Sequence, residues 1–104
     1  MSEEPIHIDT LRIQNIERIQ KETPTVSTIL FNDPMCATAE PGQYAMIWAP
    51  GAGEVPMSLS LMDPPDRSAI TVRVRGETTE TLLNLRKNDQ IGIRGPYGRG
   101  YALS

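Results

Sequence analysis

The sequence predicts an all-β protein: six short antiparallel strands closed into a barrel, with one small helix. Three observations predict it. Apolar runs are short and are closed by Pro, Gly, Asn and Asp, with nine Pro and eight Gly in 104 residues. β-branched residues crowd those runs, and one run alternates strictly between apolar and polar. Closure into a barrel removes the exposed edges that six short strands would otherwise leave.

Each element has its own signal. A long, bulged strand is expected from about Asp9 to Lys21, with Thr23-Pro24 as the turn after it. Thr25 to Phe31 is the second strand, stopped by Asn32-Asp33-Pro34. Pro41-Gly42 opens a third over Gln43 to Trp48, followed by the permissive loop Pro50-Gly51-Ala52-Gly53. Met57 to Met62 is a fourth, closed by Asp63-Pro64-Pro65-Asp66. In the fifth, Ile70, Val72 and Val74 alternate with Thr71, Arg73 and Arg75, which gives one dry and one wet face. Asp89 to Arg94 is the sixth and ends at Gly95-Pro96.

One helix is expected between the last two strands. Thr78 or Thr79 caps it, and Leu82 and Leu85 share a face. Glu77 and Glu80 sit near the positive end of its dipole, and Lys87 lies in its last turn. Asn88 is the left-handed terminator.

Composition bounds function. One domain fits 104 residues, and two cores do not. Ten basic against thirteen acidic side chains leave a net charge of −3, so nothing draws the chain generally to phosphate backbones or anionic membranes. A small nucleic-acid-binding barrel is therefore disfavoured, as is a membrane partner. The one cysteine, Cys36, cannot form an internal disulfide, a four-Cys zinc site or an iron–sulfur cluster. A cytoplasmic, reducing location is expected. His7 reads as a surface histidine, and Cys36, with no basic neighbour in sequence, as an inert thiol. No Ser–His–Asp, paired-carboxylate or metal-ligand spacing is present, so no side chain is assigned a catalytic role.

Three segments are more specific. Glu54-Val55-Pro56-Met57-Ser58 follows the Gly-rich loop. It reads on its own as a strand start with a polar residue on one face, or as a place where a hydroxyl and backbone amides meet a planar ligand. Val74-Arg75-Gly76-Glu77-Thr78-Thr79 is either plain helix capping or a cradle of unpaired N–H groups for an anion. Gly95-Pro96-Tyr97-Gly98-Arg99-Gly100-Tyr101 either covers an aromatic ligand or leads out toward a partner.

In order, these segments resemble the FAD-binding barrel of the ferredoxin-reductase superfamily, and within it the electron-transfer subunits of dihydroorotate dehydrogenase. That family shows Pro-Gly-Gln-Phe, then Arg-Pro-x-Ser, then a Gly–Thr–Leu helix start, then Gly-Asp, then Gly-Pro-x-Gly-x-Gly-Phe. Here stand Pro41-Gly42-Gln43-Tyr44, Val55-Pro56-Met57-Ser58, Gly76-Glu77-Thr78-Thr79 with Leu82 and Leu85, Asn88-Asp89, and Gly95 to Tyr101. The match runs from about residue 9 to 101.

The resemblance implies a six-stranded antiparallel Greek-key barrel with one short α-helix and FAD along one side. It implies that Val55, Pro56, Met57 and Ser58 flank the isoalloxazine, with Met57 on the ring and the Ser58 hydroxyl near N5 or O4. Val72, Arg73 and Val74 match the next cofactor-contacting strand, and Gly76, Thr78 and Thr79 the pyrophosphate-binding helix start. Val55 replaces the usual Arg and Glu54 precedes it, which removes a phosphate clamp that Arg73, Arg75 or Arg94 would have to replace. The nucleotide-binding and four-Cys iron–sulfur domains of full-length relatives are not in these residues, so 1–104 reads as a single barrel domain. The expected function is a flavin-binding electron-transfer module, an oxidoreductase component rather than a complete enzyme. Its partner is a protein carrying the rest of the electron path, such as a dihydroorotate dehydrogenase catalytic subunit. A barrel without cofactor, acting as a structural or interaction domain, is the alternative.

Overall fold

The computed structural model describes residues 7–40, 42–61 and 68–98. The strands are β1 (Arg12–Thr23), β2 (Val26–Phe31), β3 (Tyr44–Ala49), β4 (Gly53–Leu61), β5 (Ser68–Arg73) and β6 (Gln90–Tyr97), with one helix, α1 (Glu77–Leu83), before β6. They close into an antiparallel barrel in the order β1-β2-β5-β4-β3-β6, the predicted Greek-key barrel. A 3₁₀ turn, Cys36–Thr38, lies between β2 and β3.

Two strands turn the corners. β1 pairs with β6 through Arg12–Asn15 and with β2 from Ile16 onward. The expected bulge lies there: pairing steps from Ile16↔Phe31 to Arg18↔Leu30, leaving Glu17 over. β4 pairs with β3 through Gly53–Ser58 and with β5 only through Leu59–Leu61. The barrel is thus two sheets that share β1 and β4.

Alternation puts one side of each strand inside. Ile29 and Phe31 of β2, Ile70 and Val72 of β5, and Ile91 and Ile93 of β6 are fully buried. Leu82 of α1 is also fully buried, so the helix plugs the barrel, and each such side chain contributes about 1.5–3 kcal/mol of transfer free energy.

Boundaries differ from the sequence expectation, for physical reasons. β1 starts at Arg12 because the turn before it is held by Thr10 N–H to the His7 carbonyl. β4 starts at Gly53, before Met57, because its ladder to β3 runs straight through Pro56. β5 ends at Arg73, so Val74 is 41% exposed rather than on the dry face. Neither threonine is the helix cap: Gly76 is, and the Thr79 Oγ1 accepts from the Gly76 N–H at 3.0 Å. Lys87 lies beyond the helix, which ends at Leu83. Asn88 does take a left-handed φ of 76°, but in the turn entering β6. β6 runs through Gly95-Pro96, a cis peptide, to Tyr97. Pro41, the Asp63-Pro64-Pro65-Asp66 turn, and Arg99, Gly100 and Tyr101 lie outside the described residues.

Candidate functional site: a crevice beside the β4 corner

The β4–β5 ladder stops at Leu59↔Ile70. Continued, that register would set Pro56 opposite Arg73 and Val55 opposite Val74. Proline has no N–H to extend the ladder. The start of α1 stands across this gap instead, and a hollow of about 190 Å³ opens between Val55 and Arg75-Gly76-Glu77-Thr78-Thr79.

The helix start is tied down by its own hydroxyls. Thr78 Oγ1 donates to the Ala52 carbonyl at 2.8 Å, which fixes α1 to the β3–β4 loop. Thr79 Oγ1 accepts from the Arg75 N–H at 2.7 Å and donates to the Gly76 carbonyl at 3.0 Å. Glu80 N–H to the Gly76 carbonyl, 2.9 Å, closes the first turn. Both threonine hydroxyls are thus engaged by protein, and what the helix start offers a ligand is backbone N–H.

The structure brings Val55, Gly76, Thr78 and Thr79 of the predicted set to one hollow. Val72 is fully buried in the core, and Arg73 is exposed. Val74 stands exposed near the gap. Met57 packs with Val55 against the core cluster, while Pro56 and Ser58 are exposed on the other face of β4. Alternation forces this: Met57 and Ser58 can touch one ligand only around the unpaired edge of β4. Arg75, named from the sequence only as a substitute for the missing clamp, and Glu77, which was not among the predicted contacts, also line the hollow.

Glu54 does not stand as a free acid beside Val55. Arg94 grips it with two bonds, Nε to Oε2 at 2.7 Å and Nη2 to Oε1 at 2.6 Å. The Arg94 hydrogen bond holds the Glu54 carboxyl below its ordinary pKa. Arg94, one of the three arginines that could replace the missing clamp, is therefore committed to Glu54.

A second polar centre was not legible in the sequence. Asp33, fully buried, accepts from Arg12, from Gln14 Nε2 at 2.9 Å and from the Cys36 N–H at 3.0 Å. Burial pushes the neighbouring Cys36 thiol up to about 12, and Asp33 adds to it, so this cysteine is inert as expected. Wider hollows beside the β1 bulge, one lined by Ile13, Gln14, Asn15, Glu17, Asn32 and Pro34, gather no reactive groups into one geometry. Among the described residues no cluster of three or more His, Cys, Asp or Glu could hold a metal ion, and no helix is long and apolar enough to cross a membrane.

No protein-family model matches the chain. Curated relatives do. The chain is 44% identical over 88 residues to a probable dihydroorotate dehydrogenase B (NAD(+)) electron transfer subunit from Methanocella arvoryzae, covering 85% of this chain and 32% of that protein. It is 43% identical over 86 residues to the protein of the same description from Thermoplasma volcanium, covering 83% and 33%. The chain thus spans about a third of the length of the curated relatives it matches.

Solved structures share the fold. An NADH-dependent reduced ferredoxin–NADP oxidoreductase superposes with a TM-score of 0.75 at 24% identity, over 84% of this chain and 33% of that one. Phthalate dioxygenase reductase superposes with a TM-score of 0.70 at 17% identity, over 88% and 31%. Over its barrel the chain is similar in sequence to those subunits, and it shares its fold with the ferredoxin reductases.

Proposed function

We propose that this barrel is a flavin-binding electron-transfer module that holds FAD in the crevice between β4 and the start of α1. The carrying observation is the interrupted β4–β5 ladder, whose gap is bordered by Val55, the exposed Val74 and the helix start. An apolar slot that opens onto backbone donors suits a ligand with a flat apolar ring and an anionic tail.

The residues divide the work. Thr78 and Thr79 present N–H groups to the pyrophosphate, Gly76 leaves room for it beside the helix start, and Arg73 and Arg75 supply positive charge at the end of β5. Val55, Met57 and Val74 cover the ring from the slot, with Val72 packed behind them. Pro56 and Ser58 turn the open edge of β4, and the Ser58 hydroxyl is set to hydrogen-bond the ring near N5 or O4. Redox chemistry is the cofactor's own, and the protein orients it and limits water. Glu77 and Glu80 face the same helix end and weaken the pull on phosphate.

On this reading, residues 1–104 are the barrel domain of a longer electron path. Its partner is a dihydroorotate dehydrogenase catalytic subunit, in the cytoplasm, within pyrimidine biosynthesis. The family likeness of the curated relatives supports this. The alternative, a barrel without cofactor, draws on Val55, on Glu54, on the acids Glu77 and Glu80 at the helix start, and on the nucleotide-binding domain of relatives lying outside these residues. The pairing of Glu54 with Arg94 removes the second of these motives.

The test is flavin binding by the purified chain, read by absorbance and by mass spectrometry of released cofactor. Val55→Arg restores the family's clamp at the wall of the hollow. It is expected to tighten FAD about tenfold, the scale of a charge-assisted hydrogen bond. Ser58→Ala is expected to shift the flavin band with little change in affinity. If neither the natural chain nor Val55→Arg takes up FAD at saturation, the reading is wrong.

A further inference from the structure

The β4 wall of the crevice is Val55, an apolar side chain, where a ligand with a diphosphate needs a cation. An anion gives up its water readily only against charge-assisted hydrogen bonds. The helix alone supplies few of these. It has seven residues, its threonine hydroxyls are held by protein, and Glu77 and Glu80 stand in its first turn.

The arginines sort by what already holds them. Arg12 is bound to buried Asp33, and Arg94 to Glu54 through two hydrogen bonds. Arg73 pairs in the ladder with Val26, and alternation sets it with Thr71 on the outer face of β5. Among the described residues Arg75 is the one arginine that lines the hollow, in the wall across from Val55. It is exposed, and its guanidinium has no hydrogen-bond or ion-pair partner among the described residues. Only its backbone is used: the N–H donates to Thr79 Oγ1 at 2.7 Å. That bond fixes where the side chain leaves the backbone and keeps the charged group free.

Gly76, beside it, is an independent observation. Its φ of 175° is extended backbone that any residue adopts, and a Cβ there would meet nothing within 4 Å. Neither backbone nor packing calls for glycine at this point. Room is left next to Arg75 for a group that the chain does not itself supply.

We propose that Arg75 is the side chain that binds the cofactor's diphosphate, so that the clamp stands at the end of β5 instead of on β4; this rests on the flavin reading above. The planar guanidinium can take two phosphate oxygens at once. Gly76 lets the anion approach the backbone, and Glu77 in the same wall opposes it. Val55, relieved of the charge, serves the ring as an apolar cover. Arg75 thereby makes the site prefer a flavin that carries phosphate.

The experiment titrates the 104-residue chain with FAD and with riboflavin, which has no phosphate, and follows flavin fluorescence. Arg75→Gln should bind FAD at least about tenfold more weakly, and riboflavin within about twofold of the natural chain. Adding Val55→Arg to Arg75→Gln puts a guanidinium on the opposite wall and should return FAD affinity to within about threefold of the natural value. Arg73→Gln should lose less than about threefold. Raising salt from about 0.05 to about 0.5 M should weaken FAD binding by the natural chain, and Arg75→Gln should flatten that fall. The proposal is overturned if Arg75→Gln binds FAD like the natural chain, if it loses riboflavin as much as FAD, or if Arg73→Gln loses more than Arg75→Gln. A chain that binds FAD and riboflavin equally keeps the flavin slot and loses the clamp. A chain that binds neither defeats the cofactor reading, and the clamp with it.

Discussion

Asp33 holds Arg12 by both prongs of its guanidinium, Oδ1 to Nε at 2.9 Å and Oδ2 to Nη2 at 3.0 Å. The same Nη2 donates to the Gly95 carbonyl at 2.7 Å, and Nη1 donates to the Thr10 carbonyl at 2.9 Å. One ion pair therefore joins the start of β1, the β2–β3 connection and the bend of β6. Removing one partner of a buried pair leaves the other charge uncompensated, at a cost of about 3–5 kcal/mol. Arg12→Met should sit near the lower figure, because Gln14 and the Cys36 N–H still serve Asp33. Urea unfolding measures it, and a loss below about 1 kcal/mol would show the pair to be incidental.

Stability should also depend on pH at both ends. For Asp33, burial raises the pKa, but the hydrogen bonds from Arg12, Gln14 and the Cys36 N–H outweigh it and the net direction is down. A carboxyl lowered in the fold stabilises above its ordinary value near 4, and that contribution fades as pH falls through the lowered one. Cys36 is raised to about 12, chiefly by burial. Its contribution is whole below the unfolded thiol value near 8.5 and is lost as pH climbs toward 12. Thermal midpoints should fall on both limbs, with Asp33→Asn flattening the acid limb and Cys36→Ala the alkaline one. Unchanged limbs in those variants would contradict the assignment.

Gly92 should resist even the smallest side chain. The Leu11 methyl at 2.8 Å can swing away into solvent, but the Trp48 Cβ at 3.0 Å is fixed to β3. Gly92→Ala is expected to cost about 1–2 kcal/mol, the range of overpacking. A double-mutant cycle with Leu11→Ala should recover only part of it. Full recovery would mean that Trp48 yields.

Ser27 points the other way. It is fully buried in β2, and its hydroxyl has no hydrogen-bond partner among the described residues. An unsatisfied buried hydroxyl costs about 1–3 kcal/mol, set against the small void its removal leaves. Ser27→Ala should therefore stabilise by about 0.5–1 kcal/mol in urea unfolding. Destabilisation would reveal a bound water at the hydroxyl.

The strands with one dry and one wet face were legible because a period of two is local. Ile70 and Val72 against Thr71 and Arg73 could only be a half-buried strand. Leu82 and Leu85 read as one helix face; Leu82 is fully buried, whereas Leu85 lies beyond the helix end at Leu83 and packs only partly against the core. The corner strands were not legible to the residue. β1 and β4 each serve two neighbours, and where pairing changes hands depends on residues tens of positions away. Local propensity put Pro56 at the entrance of its strand; ladder geometry put it in the middle.

Of the candidate site, the residues alone marked the Val55–Ser58 run and the Gly76–Thr79 helix start as ambiguous, and it was the resemblance carried by the order of the motifs that assigned them, with the end of β5, to a cofactor. Composition and periodicity determined a small, acidic, all-β barrel with one helix. The tertiary structure decided which of those residues meet. Alternation turned Met57 and Ser58 to opposite faces, closure buried Val72, and the stopped ladder opened the gap that Val55 and Val74 border. It also assembled what lay far apart in the chain, Arg12 with Asp33 and Glu54 with Arg94. The reason is range: strand and turn preferences act over a few residues, whereas a buried charge finds its partner only once the whole barrel has closed.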